Sequence, residues 1–170
     1  MALLTQKTIN KILIFEGITL HKGKIAKMKI LPSATNTGIN FKRVDLKENN
    51  IIPANFYNVK NATLCTTLIN EAGVSVSTVE HLMAAFYGLG VDNAVVEIDQ
   101  DEVPIMDGSS KNFVESIEAV GLKQSDEPIK LIKILNKVTV NDGNKFISIE
   151  PSKTSLEIDF EIKFNNELIG

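Results

Sequence analysis

Along residues 24–30, Ala26, Met28 and Ile30 alternate with Lys24, Lys27 and Lys29. Side chains of a strand point to opposite faces with period two. This run therefore predicts a strand with one face buried and a row of lysines in water. A sheet built on it needs a second layer over the apolar face only. Most of the remaining chain is also strand-like, and two segments carry helical spacing.

Residues 38–44 alternate again after a turn-rich stretch, and residues 63–69 and 74–77 read as shorter strands around Asn70-Glu71-Ala72-Gly73. Residues 78–87 place apolar side chains at 79, 82, 83 and 86, which predicts a helix ended by Gly88 and Gly90. Residues 92–98 form a strand with a continuous apolar centre. A loop over 103–110 leads into a second predicted helix over 111–120. That helix buries Phe113, Ile117 and Val120 and stops at Gly121. Phe15, Phe41, Phe86 and Phe113 are candidate core residues. The expected class is α+β, a sheet packed on a layer of two helices.

Residues 123–128, Lys-Gln-Ser-Asp-Glu-Pro, are polar and predict a linker. Strand signals restart at 130–140. Asn141-Asp142-Gly143-Asn144 reads as a hairpin turn, followed by strands over 146–150 and 156–164. The expected organisation is a first α+β domain over 1–123, a linker over 124–129, and the first strands of an incomplete second domain of the same type over 130–170. No helical segment comes after them to cover those strands, so the chain is expected to be cut short there.

Composition narrows the function. A net charge of -3 gives no electrostatic case for nucleic acid or an anionic membrane. No run reaches the ~18 apolar residues of a membrane span, and residues 1–11 carry no signal-peptide core. The single cysteine, Cys65, leaves no internal disulfide and suits a reducing compartment. The expectation is a soluble, cytoplasmic protein.

Chemistry concentrates at Ser77-Thr78-Val79-Glu80-His81, ahead of Leu82-Met83-Ala84-Ala85-Phe86. A carboxylate and an imidazole at one helix start can lean towards one point, as a base and a metal ligand must. The same residues also spell a capping box, with the Ser77 hydroxyl on the Glu80 amide and the Glu80 carboxylate on the Ser77 amide. Both readings stand on the pentapeptide alone.

Four segments together carry a resemblance. Gly17-Ile18-Thr19-Leu20-His21-Lys22-Gly23, Leu64-Cys65-Thr66-Thr67, Ser77-Thr78-Val79-Glu80-His81-Leu82 and Val103-Pro104-Ile105-Met106-Asp107-Gly108-Ser109-Ser110 resemble, in order, motifs of the bacterial UDP-3-O-acyl-N-acetylglucosamine deacetylases. These are zinc hydrolases of lipid A synthesis in Gram-negative bacteria. The resemblance implies two similar α+β domains with the active site between them, and a monomer at full length. It implies that His81 is a Zn2+ ligand. It implies that Glu80 is the general base, taking a proton from the metal-bound water that attacks the acetamide carbonyl. It further implies that His21 and Cys65 border the UDP-3-O-acyl-N-acetylglucosamine substrate. Lys22 stands where the family commonly has threonine or serine.

The resemblance also exposes a gap. In that family two further zinc ligands, the acid histidine and an oxyanion-stabilising threonine come from the second domain, and no histidine lies beyond His81 here. The chain then has two readings. It is the first half of a zinc amidohydrolase, active only at full length, or it is a non-catalytic module of the same fold that binds a sugar nucleotide. Asp107-Gly108-Ser109 is read as a turn and helix cap in either case.

Overall fold

The computed structural model describes residues 4–153, 156–164, 166 and 168. The chain divides into two units, residues 1–129 and 130–170. The first unit contains strands β1 (Thr5–Ile9), β2 (Leu13–Ile18), β3 (Ile25–Pro32), β4 (Ile39–Arg43), β5 (Ile51–Pro53), β6 (Val59–Asn61), β7 (Thr67–Ile69) and β8 (Ser75–Ser77). Helix α1 (Glu80–Leu89), strand β9 (Ala94–Ile98), helix α2 (Lys111–Val120) and strand β10 (Leu122–Pro128) complete it. The class is α+β, as expected.

The main sheet has the order β2-β3-β9-β4-β5. Strand β9 lies at its centre, antiparallel to β3 and parallel to β4. Its register sets Val96 beside both Ile30 and Phe41. Ala26, Met28, Ile30, Phe41, Ala94, Val96 and Ile98 are buried on one face, while Lys27 and Lys29 stay in water. The period-two pattern of β3 thus holds. A parallel β4–β9 pair needs a long crossover, and β5 to β8 and α1 all lie within it. That topology brings the start of α1 close to the chain leaving β9.

The two helices supply the second layer. Leu82, Ala85 and Phe86 of α1 and Phe113 and Ile117 of α2 join the core with Phe15 and Phe41. The Phe113 ring meets Phe15 edge-on at 5.1 Å between centroids. Each fully buried aliphatic or aromatic side chain contributes about 1.5–3 kcal/mol, so this layer is what makes the sheet's inner face stable. Gly90 ends α1 in the left-handed conformation, its N–H on the carbonyls of Phe86 and Tyr87. Gly88 stays helical, so only one of the two expected stop signals acts. Gly121 closes α2 as expected.

Three expectations are corrected. Residues 123–128 are not a linker: they lie in β10, antiparallel to β1. Polar composition does not break a strand at a sheet edge. Here Gln124 Nε2 donates to Thr5 Oγ1 (2.6 Å), Ser125 Oγ to the Gln6 carbonyl (3.0 Å) and Gln6 Nε2 to the Pro128 carbonyl (2.9 Å). The strand expected over 63–69 is confined to β7, because Leu64 takes a left-handed φ of 64°. Helix α1 begins at Glu80 and not at residue 78, because Thr78 is itself left-handed.

In the second unit, β11 (Val138–Asp142) and β12 (Lys145–Ile149) form an antiparallel hairpin, with Gly143 at φ 60° in its turn. Both strands are exposed throughout, including Val140, Phe146 and Ile147. The strands expected over 130–137 and 156–164 do not form among the described residues. A strand needs a neighbour to complete its hydrogen-bond ladder, and none pairs with these segments there. Residues 154 and 155 lie outside the described residues.

Candidate active site

The segments around Thr19, Thr66, Ser77 and Pro104 converge at one end of the main sheet. The Ile105 N–H donates to the Ile18 carbonyl (2.9 Å), and Thr19 bridges Pro104. Gly17 permits this approach. A Cβ at that position would meet Met106 Sδ and Pro104 Cβ at 3.2 Å each. The Val103 N–H donates to the Ser77 carbonyl, and the Ser77 N–H to the Asp101 carbonyl, both at 3.0 Å. The Thr78 N–H donates to the Thr66 carbonyl at 3.1 Å. No single interval of sequence foretells these contacts.

The capping box does not form. Ser77 belongs to β8, and its hydroxyl donates to the Asp101 carbonyl (3.1 Å). Thr78 comes next with φ 58°, and Val79 is the helix N-cap, without a side-chain cap bond. A left-handed β-branched residue costs about 1–3 kcal/mol and persists only where its surroundings hold it. The Glu80 carboxylate turns to the backbone N–H of Thr66 instead. Long-range partners, an acceptor for Ser77 and a donor for Glu80, thus displace the local cap. Thr66 accepts from Thr78 and donates to Glu80, and so brackets the helix start.

Glu80 is half-buried and borders a groove of about 220 Å³. Apart from Glu80, Asn55 and Thr66, the groove is lined by Ala54, Phe56, Val59, Leu68, Val79 and Met83. A carboxylate beside apolar walls, with one oxygen held by an amide, is a suitable proton acceptor once a substrate excludes water. His81 is the next residue and is also half-buried. Its Nδ1 is inaccessible to solvent and has no hydrogen-bond partner among the described residues. A buried polar atom left unpaired costs about 1–3 kcal/mol, so the ring presents a nitrogen suited to a partner this set of residues does not supply.

The other two sequence candidates flank this centre. Cys65 is half-buried, with Sγ 3.9 Å from Thr67 Oγ1, next to the Thr66 that holds Glu80. The His21 side chain is exposed in the turn after β2, and the His21 backbone N–H donates to Glu102 Oε1 (2.9 Å). Asp107 and Ser109 form the expected turn, whereas the N-cap of α2 is Ser110, which makes no side-chain cap bond. Asp107 accepts from the Ser109 amide and hydroxyl, and Ser109 Oγ accepts from the Lys111 N–H at 3.1 Å. The hydrogen bonds from Ser109 hold the Asp107 carboxyl below its usual range.

Glu102 carries no motif of its own in the sequence. It ends the acidic run Asp99-Gln100-Asp101-Glu102, which reads as a solvated loop. In the fold it is fully buried. Its one legible signal is its position directly ahead of Val103-Pro104-Ile105-Met106, where the chain turns inward.

These residues meet the demands of a zinc centre only in part. A catalytic zinc draws three protein ligands. Among the described residues no three His, Cys, Asp or Glu side chains converge. The orphaned His81 nitrogen fits one corner of such a site, and the remaining donors are not found among these residues.

Comparison with known proteins bears on the same residues. The family model described as "LpxC: UDP-3-O-acyl N-acetylglycosamine deacetylase" matches residues 6–170. A protein of Shewanella frigidimarina named UDP-3-O-acyl-N-acetylglucosamine deacetylase is 42% identical over 165 residues, covering 97% of this chain and 54% of that protein. Its namesake in Pseudoalteromonas atlantica is 42% identical over 168 residues, covering 99% of this chain and 55% of that protein. One of Shewanella oneidensis is 42% identical over 159 residues, with 94% and 52% covered. The chain spans about half the length of the curated relatives it matches.

Proposed function

Since the chain belongs to the family of UDP-3-O-acyl-N-acetylglucosamine deacetylases, we propose that its protein removes the acetyl group from UDP-3-O-acyl-N-acetylglucosamine in lipid A biosynthesis. In this reading residues 1–170 carry the base and one metal ligand. The half of the family's length that is not matched here carries the other donors. The observation that supports it most is the pairing at the start of α1: a Glu80 carboxylate clamped by Thr66 beside a His81 ring with an orphaned buried nitrogen.

His81 would be the ligand this chain gives to zinc. Bound zinc acts as a Lewis acid and lowers the pKa of a coordinated water to about 7. The chain's own contribution is Glu80. Its Oε1 is engaged by the Thr66 N–H. That bond anchors one carboxylate oxygen, so Oε2 is the oxygen assigned to receive the proton. Cys65 and Thr66 would line the path of the sugar, and His21 its rim. No described helix is long and apolar enough to cross a membrane, and we place the reaction in the cytoplasm, carried out by a monomer.

The test is a deacetylase assay on UDP-3-O-acyl-N-acetylglucosamine with metal analysis, using the protein at the relatives' full length. Turnover that depends on zinc and is lost in both Glu80→Ala and His81→Ala supports the reading. Substrate binding without turnover, in a folded protein loaded with zinc, would instead identify a sugar-nucleotide-binding module.

A further inference from the structure

The Glu102 carboxylate is fully buried, yet the nearby Lys22 ammonium pairs with Asp101 and not with it. Its partners are neutral donors from two separate segments. Oε1 accepts from the His21 N–H (2.9 Å) and the Thr78 hydroxyl (3.0 Å), and Oε2 accepts from the Lys22 N–H (3.1 Å). A charge removed from water is tolerated only when it is hydrogen-bonded in this way. The group is also placed where backbone contacts cross, since Ser77 bridges Glu102 and Val103 donates to Ser77.

We propose that Glu102 is a positioning residue, joining the His21–Lys22 turn to the left-handed Thr78 and thereby setting the direction in which Glu80 and His81 leave α1. Thr78 is held on two sides, by the Thr66 carbonyl at its N–H and by Glu102 at its hydroxyl. A left-handed threonine two residues before Glu80 fixes the entry angle of the helix. Without the bond to Glu102 the strained turn loses one of its two restraints. The carboxylate is required because all three partners donate. A glutamine amide would turn an N–H towards one of those donors.

Two variants of the 170-residue chain separate this role from simple stability. Glu102→Gln is read by NMR at the far side of the junction: the Glu80 and His81 amides and the His81 ring are expected to shift, while Met28 and Val96 in the core stay in place. Thr78→Val keeps Glu102 and is read at the opposite end, where the His21 and Lys22 amides are expected to move. If the glutamine variant does not fold, the valine variant decides by the same criterion. Shifts confined to the substituted residue's own segment overturn the proposal.

A second arm rests on the proposed deacetylase activity. At the relatives' full length, Glu102→Gln is expected to lower kcat per folded molecule on the order of 10²-fold, the cost of a misplaced catalytic group, with KM little changed. A merely structural role would lower the melting temperature and leave kcat per folded molecule unaltered, and that result also overturns the proposal. If the unsubstituted protein shows no deacetylation, the functional reading fails, and the NMR arm still decides the role of Glu102.

Discussion

The backbone N–H of Thr66 donates to the carboxylate of Glu80, fourteen positions further along the chain. The same Thr66 accepts the N–H of Thr78 through its carbonyl. One residue of a loop between two short strands therefore holds both the turn that starts α1 and the acidic side chain on its first turn.

At the relatives' full length, Glu80→Ala is expected to lower turnover by about 10²–10⁴-fold, the usual cost of losing a general base. The Thr66 amide proton should shift at the same time, because its acceptor is gone. Steady-state kinetics and amide spectra check the two parts separately. Activity within a few-fold of the parent would remove Glu80 from the role of base.

His81→Ala should reduce the zinc bound per protein without unfolding the chain, since the ring is half-buried and the helix is held by Leu82, Ala85 and Phe86. Metal analysis beside a melting curve tests this. Unchanged zinc affinity would exclude the ring as a ligand.

Gly17→Ala should destabilise the first unit by about 1–3 kcal/mol, the range for overpacking. The added methyl would press on Met106 Sδ and Pro104 Cβ at 3.2 Å. Combining it with Met106→Ala should recover part of the loss, because one of the two obstacles is then removed. Urea denaturation of the single and double variants provides the comparison.

Phe113→Ala should cost about 3–5 kcal/mol, as for a large aromatic removed from a core, because Phe113 is buried against Phe15. Phe146→Ala, at a ring 75% exposed on the hairpin, should stay within about 0.5 kcal/mol. Equal effects would contradict the packing described for the two units.

Burial pushes the Asp101 carboxyl up, but the hydrogen bond and charge of Lys22, with the charge of Arg43, outweigh it and hold the group below its ordinary range. A carboxyl depressed by folding stabilises the fold above its unfolded pKa, about 3.9, and loses that contribution as pH falls through the folded value. The affected window therefore lies below about pH 4. Lys22→Met should raise the Asp101 pKa and weaken this acid dependence. Titration of the carboxyl carbon by NMR reads the change directly, and an unmoved midpoint would count against the pair.

The main strands and helices were legible because each answers to a local period. Ala26, Met28 and Ile30 alternate with lysines and bury one face of β3, and Phe113 and Ile117 recur at helical spacing on α2. The buried phenylalanines 15, 41, 86 and 113 could be named in advance for the same reason. The polar run at 123–128 was misread because an edge strand needs a partner more than it needs apolar residues, and its partner β1 lies more than a hundred positions away.

The sequence by itself determined the α+β class, the inward face of β3 and the adjacency of Glu80 and His81, since propensity, periodicity and peptide connectivity act over a few residues. Only the tertiary structure decided what Glu80 bonds to. Ser77-x-x-Glu80 satisfies the local rule for a cap, but Thr66 and Asp101 offer competing partners from distant segments. They prevail because the β4–β9 crossover, the β7–β8 pairing and the burial of Glu102 bring those groups within hydrogen-bond reach. Once the core had closed, the backbone groups of Thr66 and Asp101 needed partners as much as the helix end did.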